Sequence, residues 1–177
     1  MTDEARRRFE QVYAAHRAAI LGYALRRTAS ADDAADVIAE TFLTAWRRLG
    51  EIPAGDAARP WLYGVARRVL ANQRRGARRR TALGERLRSE LAAAPRGYEP
   101  PPGLDGVAAA FRHLGDTDRE ILTLAGWEGL DAGQIAVVLG CSRNAARIRL
   151  HRARRRFAEA LHDTGAAHPP ALIGENS

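Results

Sequence analysis

The chain has 177 residues, 46% of them apolar, so it can form one ordinary domain or two small ones with true cores. Its net charge is +7 and its 28 basic residues are all arginines, which favours an anionic partner. No apolar run reaches the ~20 residues of a membrane span and the N-terminus lacks a signal-peptide core, so we predict a cytoplasmic protein without a membrane span.

Three helices are predicted in the first half of the chain. Apolar residues at helical spacing indicate a first helix from Asp3 to about Arg27. Ser30 is a typical N-cap, and a second helix follows it as far as the segment 50–59. That segment contains proline and glycine and is predicted to be irregular. Pro60 then takes the first position of a third helix.

The second and third helices carry opposite charge. Residues 31–56 hold six acids and two arginines, whereas residues 57–80 hold eight arginines and no acid. The polar side chains of the second helix that lie away from its apolar stripe are Asp36, Glu40, Thr44 and Arg47. Solvation alone could explain this polar face. An acidic and a basic surface in one small domain nevertheless indicate two partners, or an oriented contact with one.

A segment rich in Pro and Gly, AAAPRGYEPPPG at residues 92–103, divides the chain and is typical of a flexible linker. We predict an N-terminal domain at 1–81, a linker at 82–103, a C-terminal domain at 104–162 and a mobile tail at 163–177. Residues 81–91 could also extend a helix of either domain, and the sequence leaves that open.

Two helices are predicted at the start of the C-terminal domain. The first begins near Leu104, and Thr117 with Glu120 is interpreted as a capping box that begins the second. Gly129 is expected to end this second helix. Its apolar set is Ile121, Leu122, Leu124, Ala125 and Trp127.

A helix-turn-helix is predicted next. Asp131 with Gln134 forms a capping pair that begins a helix, and Gly140 suits a left-handed helix end. Ser142 is a good N-cap for the helix that follows at once. The single cysteine, Cys141, lies in the turn, excludes an internal disulfide and is expected to be a small buried residue.

The second helix of this motif is predicted to lie in the major groove of DNA. Ala146, Leu150, Ala153 and Phe157 recur on one face, which packs inward. Asn144, Arg147, Ile148 and His151 point away from that face and are predicted to meet bases. Arg143, Arg152, Arg154 and Arg155 lie at the flanks or farther along and are predicted to contact phosphate. An amphipathic helix with merely solvated arginines is the alternative.

No catalytic constellation is visible in the sequence. No Ser or Cys has a convincing His and acid context, and the five histidines do not form a metal-ligand spacing with Cys141. We therefore predict that the protein is not an enzyme, and that it has no metal and no cofactor.

Three segments resemble the bacterial RNA polymerase sigma factors of the extracytoplasmic-function (ECF) type. They are DDAADVIAETFLTAWRRL at 32–49, ARPWLYGVARRVLANQRRGARRR at 58–80 and LGDTDREILTLAGWEGLDAGQIAVVLGCSRNAARIRLHRARRRF at 114–157. With the first helix they cover most of residues 9–161, in the order and spacing of that family. The resemblance implies an all-α fold of two small domains on a linker.

The resemblance also implies roles. The helix at 32–49 would dock on core RNA polymerase, with Asp36, Glu40 and Arg47 as contacts. The loop at 50–59 and the helix from Trp61 would melt and read the −10 promoter element. Its candidate DNA contacts are Trp61, Arg67, Arg68, Asn72, Arg74 and Arg75. The helix-turn-helix would read the −35 element, and an anti-sigma factor would be a further partner.

The chain departs from the family at three positions. Ala39 stands where Gln is usual before the acid of the docking helix, Ala146 where a β-branched residue is usual, and Gly115 where Pro is frequent. These departures concern affinity rather than the kind of function. A stand-alone helix-turn-helix regulator that binds duplex DNA unaided is the alternative.

Overall fold

The chain folds into α-helices joined by short turns. The computed structural model describes residues 3–88 and 105–163, without the side chains of residues 77–88 and 105. Within these ranges there are seven α-helices and two short 3₁₀ turns, and no β-strand. The helices divide into two compact units, one at 3–88 and the other at 105–163. The predicted all-α fold of two small helical domains is confirmed.

The first unit consists of α1 (Asp3–Leu25), α2 (Ala31–Arg47) and α3 (Ala58–Arg88). Each of the three helices has an apolar face, and these faces meet in one core because only there can all three leave water. The largest fully buried side chains come from all three helices and include Ile20, Tyr23, Val37, Leu62 and Tyr63. The rings of Tyr23 and Tyr63 lie 5.1 Å apart and join α1 to α3.

A second group of rings joins α1 to α2. Phe9 meets Trp46 edge-on with ring centroids 4.8 Å apart, and Tyr13 meets Phe42 in the same way at 4.7 Å. Such edge-to-face pairs are a favourable aromatic geometry. Since the inner face of α2 is committed to these contacts, the opposite face of that helix, with its polar side chains, is left exposed.

The connections of the first unit follow the sequence with small differences. Ser30 caps α2, and its Oγ accepts a hydrogen bond from the N–H of Asp33 at 3.1 Å. The segment between α2 and α3 is more regular than predicted, because it contains the 3₁₀ turns Leu49–Glu51 and Gly55–Ala57. Pro60 is the third residue of α3 rather than the first. Any first-turn position accommodates proline, since the N–H groups there have no intrahelical partner.

The third helix continues past residue 81 to Arg88. The segment TALGERLR at 81–88 contains strong helix formers and no proline, so propensity alone favours continuation. Residues 81–88 therefore extend the helix of the first unit, which settles that part of the open alternative. The remainder of the predicted linker and residues 164–177 of the predicted tail lie outside the described residues, whereas Asp163 is helical.

The second unit consists of α4 (Asp105–His113), α5 (Asp116–Gly126), α6 (Ala132–Leu139) and α7 (Arg143–Asp163). The other three helices pack around α7. Ala110 and Leu114 form a buried cluster with Phe157 and Leu161 near the C-terminal end of α7. Ala146, Leu150 and Ala153 are buried farther toward its start. The predicted inward stripe of the long basic helix is therefore correct.

Four expectations in the second unit are wrong in detail. The N-cap of α5 is Gly115 rather than Thr117, and Asp116 and Asp118 supply acids in the first turn, where the helix dipole favours them. The helix α5 ends at Gly126 rather than at Gly129, and Trp127, which lies beyond the inward stripe, is 58% exposed. Cys141 is only half-buried.

Candidate nucleic-acid interface

The turn before α7 is fixed by three local devices. Asp131 caps α6, since its Oδ1 accepts hydrogen bonds from the N–H groups of Gly133 at 2.6 Å and Gln134 at 2.9 Å. The Gln134 side chain completes the capping box by accepting from the Asp131 N–H at 3.1 Å. Gly140 ends the helix with φ +65°, a left-handed conformation that glycine adopts without strain. Ser142 Oγ then accepts from the N–H of Ala145 at 3.2 Å.

The two caps and the glycine turn orient α7 so that its polar face is exposed to solvent. Most of the residues predicted to bind DNA on this helix are exposed: Arg143, Asn144, Arg147, Ile148, His151, Arg152 and Arg155. Arg154 is half-buried. Ile148 is 42% exposed, an apolar side chain on an otherwise polar surface. Arg149 is also exposed on this helix. It was not among the predicted DNA contacts, although an arginine in a basic helix is a candidate for one.

The arginines of α7 differ in the contacts that their side chains make. Arg147 donates to the Asn144 side-chain oxygen at 3.1 Å, one helical turn away. The Nε of Arg143 lies 3.7 Å from the place that a Cβ on Gly133 would occupy, so this side chain lies beside the first turn of α6. Arg155 forms an exposed ion pair with Glu159 at 3.4 Å. The N-terminal half of α7 thus presents cations and a polarised amide, as duplex binding requires.

The far end of α7 is tied to the start of α5 by an ion pair. Arg156 Nη1 lies 2.6 Å from Asp118 Oδ2, and the two residues are 38 positions apart in sequence. The Asp118 side chain is only 15% exposed, so this pair is better shielded from water than the Arg155–Glu159 pair. It adds a polar tie to the apolar packing around Phe157 and Leu161.

In the first unit, the predicted −10 residues spread over more than one side of α3. Arg67, Arg68, Asn72, Arg74 and Arg75 are all exposed. Arg74 donates to the backbone carbonyl of Arg27 at 3.4 Å, and Arg75 donates to the side-chain oxygen of Asn72. Trp61 is half-buried, and the guanidinium of Arg48 lies over its ring at 5.5 Å. Arg67 with Arg74 and Arg68 with Arg75 are each seven residues apart on α3, so these four arginines form two adjacent exposed rows.

A groove of about 680 Å³ lies between α2 and α3. Two predicted docking residues, Asp36 and Glu40, line it from α2. Arg47 is exposed at the end of α2 and does not line the groove. Residues from both helices complete the lining, among them Leu43, Arg48, Val65, Arg68, Val69 and Asn72. The structure thus brings two docking residues close to two predicted DNA residues, a grouping that sequence reasoning missed.

In the first unit, His16 and the pair Arg48 and Glu51 have shifted pKa values. Burial lowers the pKa of His16, and the nearby Arg59 guanidinium lowers it further. The hydrogen bond from Arg48 lowers the pKa of the Glu51 carboxyl, and the same contact raises the pKa of Arg48.

Within the part of the chain that the structure describes, no group of three or more His, Cys, Asp and Glu side chains could hold a metal ion. No helix of residues 3–88 or 105–163 is both long and apolar enough to cross a membrane.

Two family models match the chain, one on each unit. Sigma-70 region 2 matches residues 12–80, and Sigma-70 region 4 matches residues 104–157. The chain is 35% identical to the ECF RNA polymerase sigma factor SigL of Mycobacterium tuberculosis, over 87% of this chain and 89% of SigL. A match of that extent and identity is with a whole protein rather than with an isolated DNA-binding motif.

Two solved structures share the fold. Sigma factor RpoE, in complex with the anti-sigma factor NepR from Bartonella quintana, superposes with a TM-score of 0.63 at 23% identity, over 87% of this chain and 96% of RpoE. CnrH, in complex with the cytosolic domain of CnrY, superposes with a TM-score of 0.60 at 25% identity, over 89% of this chain and 90% of CnrH. A stand-alone regulator is not favoured, because the first unit matches as well as the helix-turn-helix. The chain belongs to the ECF-type sigma factors of RNA polymerase and acts in transcription initiation.

Proposed function

We propose that this sigma factor docks on core RNA polymerase through its first unit and reads the −35 promoter element with the exposed face of α7. The single observation that carries this proposal is the composition of that face, where Asn144, Arg147, Ile148 and His151 are all exposed after a turn fixed by caps. Bond formation belongs to the polymerase, and this chain supplies recognition. The site of action is the cytoplasm, where polymerase and promoters are.

At the −35 element, different side chains of α7 contact bases and phosphates. Arg147 bonds guanine with two parallel N–H groups, and Asn144 pairs with adenine. Ile148 touches a thymine methyl, which accounts for an apolar residue that is 42% exposed. The phosphate contacts come from Arg143, Arg152, Arg154 and Arg155, and they fix register without reading sequence.

At the −10 element the loop between α2 and α3 and the start of α3 receive single-stranded DNA. A flipped base needs a pocket beside a cationic track; this loop ends just before Trp61, and the arginines of α3 follow along the same helix. Arg67, Arg68, Arg74 and Arg75 provide that track, with Asn72 among them. Loss of these arginines would flatten the salt dependence of promoter opening.

Docking on core polymerase uses the acidic side of the groove between α2 and α3, together with Arg47 at the end of α2. Asp36 and Glu40 are one helical turn apart, exposed, and outside the packed stripe of α2. A partner surface with cations opposite these two carboxylates fits by charge. The exposed Leu43 between the polar positions adds an apolar contact that the sequence analysis did not single out.

An anti-sigma factor is a further partner in this proposal. The solved RpoE structure contains an anti-sigma factor, and the solved CnrH structure contains the cytosolic domain of CnrY. Binding of such a protein to the exposed face of α2 or of α7 would block the contacts proposed above.

The experiment combines core polymerase binding with promoter-dependent transcription. Reversing Asp36 and Glu40 to Arg should abolish co-purification with core polymerase and run-off transcription while the helical circular dichroism stays unchanged. Reversing Glu4 and Glu10, exposed acids on α1, makes the same charge change and should leave both activities intact. Retained core binding by the α2 double variant would contradict the docking assignment. Tight, specific binding of duplex DNA by the chain alone would contradict the proposal that it reads promoters as a subunit bound to core polymerase.

A further inference from the structure

The loop between α2 and α3 is held from a distant part of the chain. Arg8, in the second turn of α1, donates from Nη2 to the backbone carbonyl of Ile52 at 2.8 Å. The two residues are 44 positions apart, and the bond is partly buried. The Ile52 side chain is itself 3% exposed, so the loop is anchored at this residue by a polar and an apolar contact together.

The rest of the loop has a fixed base and an exposed tip. Arg48 donates to Glu51 at 3.0 Å, and its guanidinium lies over the ring of Trp61. These contacts join the end of α2 to the start of α3. Beyond Ile52, residues 53–57 are exposed, and Gly55 has φ +62°. The tip is therefore presented to solvent from a base that long-range contacts fix.

Arg8, which holds the Ile52 carbonyl, lies outside the part of the chain that the family model matches. The match to Sigma-70 region 2 begins at residue 12, four residues after Arg8. A guanidinium bound to a backbone carbonyl controls where that carbonyl lies, whatever the side chains of the loop are. The loop thus receives one of its hydrogen bonds from a residue outside the matched region.

We propose that Arg8 is a positioning residue for promoter opening. By holding the Ile52 carbonyl it presets the loop in the shape that accepts an unpaired −10 base, so that less ordering remains to be done when the duplex opens. This inference rests on the proposed −10 role of the loop. It assigns Arg8 no contact with DNA, because its guanidinium is engaged with Ile52.

The test compares Arg8→Gln with Arg7→Gln, a change at the exposed neighbouring arginine that removes the same charge. Each variant is bound to core polymerase and assayed on a duplex promoter and on the same promoter with a mismatched, pre-opened −10 region. Permanganate reactivity of unpaired thymines measures opening. We expect Arg8→Gln to lower opening of the duplex promoter about tenfold, the effect of losing one charge-assisted hydrogen bond. On the pre-opened promoter its activity should stay within about twofold of the unaltered protein, because little melting remains.

Three outcomes would overturn the proposal. Equal losses on both templates would mean that Arg8 supports the fold as a whole, which a lowered unfolding temperature would show. A smaller dependence of opening on salt for Arg8→Gln than for the unaltered protein would make Arg8 a phosphate contact instead. No loss on either template would mean that the loop keeps its shape without Arg8. Arg8→Lys, which keeps the charge and a donor, should recover part of the duplex activity.

A second variant separates this inference from the proposed function. Replacing the loop tip, residues 53–56, by Gly and Ser leaves the anchor at Ile52 in place. If opening stays normal with that tip, the −10 role of the loop is wrong. If opening is lost with the altered tip while Arg8→Gln opens the duplex normally, only the positioning role of Arg8 is wrong.

Discussion

Each unit presents the residues proposed to bind DNA at a turn between two helices, but the two turns are held by different means. The turn between α6 and α7 is fixed within twelve residues by the Asp131 capping box, the left-handed Gly140 and the Ser142 cap. The loop between α2 and α3 is fixed by Arg8 from α1 and by the contact between Arg48 and Trp61. Local backbone chemistry suffices for the first, whereas in the second tertiary contacts are added to two 3₁₀ turns and the left-handed Gly55.

This difference matches the two proposed tasks. Reading a closed duplex requires a rigid helix that keeps one orientation, and strong local caps provide it. Capturing an unpaired base requires a loop that can be exposed and still preset, which contacts outside the loop can achieve. Changes in the second unit should therefore act on sequence preference or on local stability. Changes around the α2–α3 loop should act on opening.

The largest effect is expected from Arg147→Ala. Loss of a forked contact with guanine should cost about 1–3 kcal/mol and relax preference at one or two −35 positions. Transcription from a library of −35 sequences measures this. Arg152→Ala, at an exposed cation assigned to phosphate, should weaken all promoters alike. The reverse pattern would show that α7 is oriented differently in the groove.

Gly140→Ala tests whether the turn of the second unit is held locally. With φ +65° a side chain is strained whatever the space around it, so we expect a destabilisation of about 1 kcal/mol in the second unit. Urea unfolding followed by tryptophan fluorescence reports on each unit separately when only Trp127, or only Trp46 and Trp61, is retained. Gly50→Ala is the control in the other turn, because Gly50 has no positive φ and its Cβ would meet nothing within 4 Å. Equal destabilisation by both changes would weaken the distinction between the turns.

The Asp118–Arg156 pair tests how much a tertiary contact contributes to holding α7. A double-mutant cycle with Asp118→Asn and Arg156→Gln should give a coupling of about 1 kcal/mol, the upper part of the range for ion pairs near a surface. The more exposed Arg155–Glu159 pair, with side chains 68% and 64% exposed, should give less than about 0.5 kcal/mol. A larger coupling for the exposed pair would contradict the argument from shielding.

The smallest effect concerns His16 in the first unit. Its pKa is lowered in the fold by burial and by Arg59, so the unfolded chain binds a proton more readily than the folded chain. The stabilisation is therefore complete above the ordinary histidine pKa of 6.5 and is lost as pH falls through the lowered value. His16→Gln should remove this pH dependence from thermal unfolding of the first unit. A stability that rises as pH falls below 6.5 and returns to a flat profile in the variant would reverse the sign argued here.

Much of the second unit could be predicted from sequence because its signals are short-range. Asp131 with Gln134, Gly140 and Ser142 each act within a few residues, and all three devices are present as predicted. The inward stripe of α7 followed from its spacing. The capping box predicted at Thr117 was wrong, because a Thr followed three residues later by Glu also occurs inside helices. The helix begins earlier, after Gly115, with Asp116 and Asp118 in its first turn.

What sequence alone determined is the all-α fold, the two units, the helix-turn-helix and the exposed basic face of α7. Each depends on a period of 3.6 residues or on a cap, both of which act between near neighbours. Only the tertiary structure decided that Arg8 holds Ile52, that Asp118 pairs with Arg156, and that Asp36 and Arg68 line one groove. These contacts join residues 32 to 44 positions apart, and nothing in the local pattern of an exposed arginine indicates which distant carbonyl or carboxylate it will meet when the cores form.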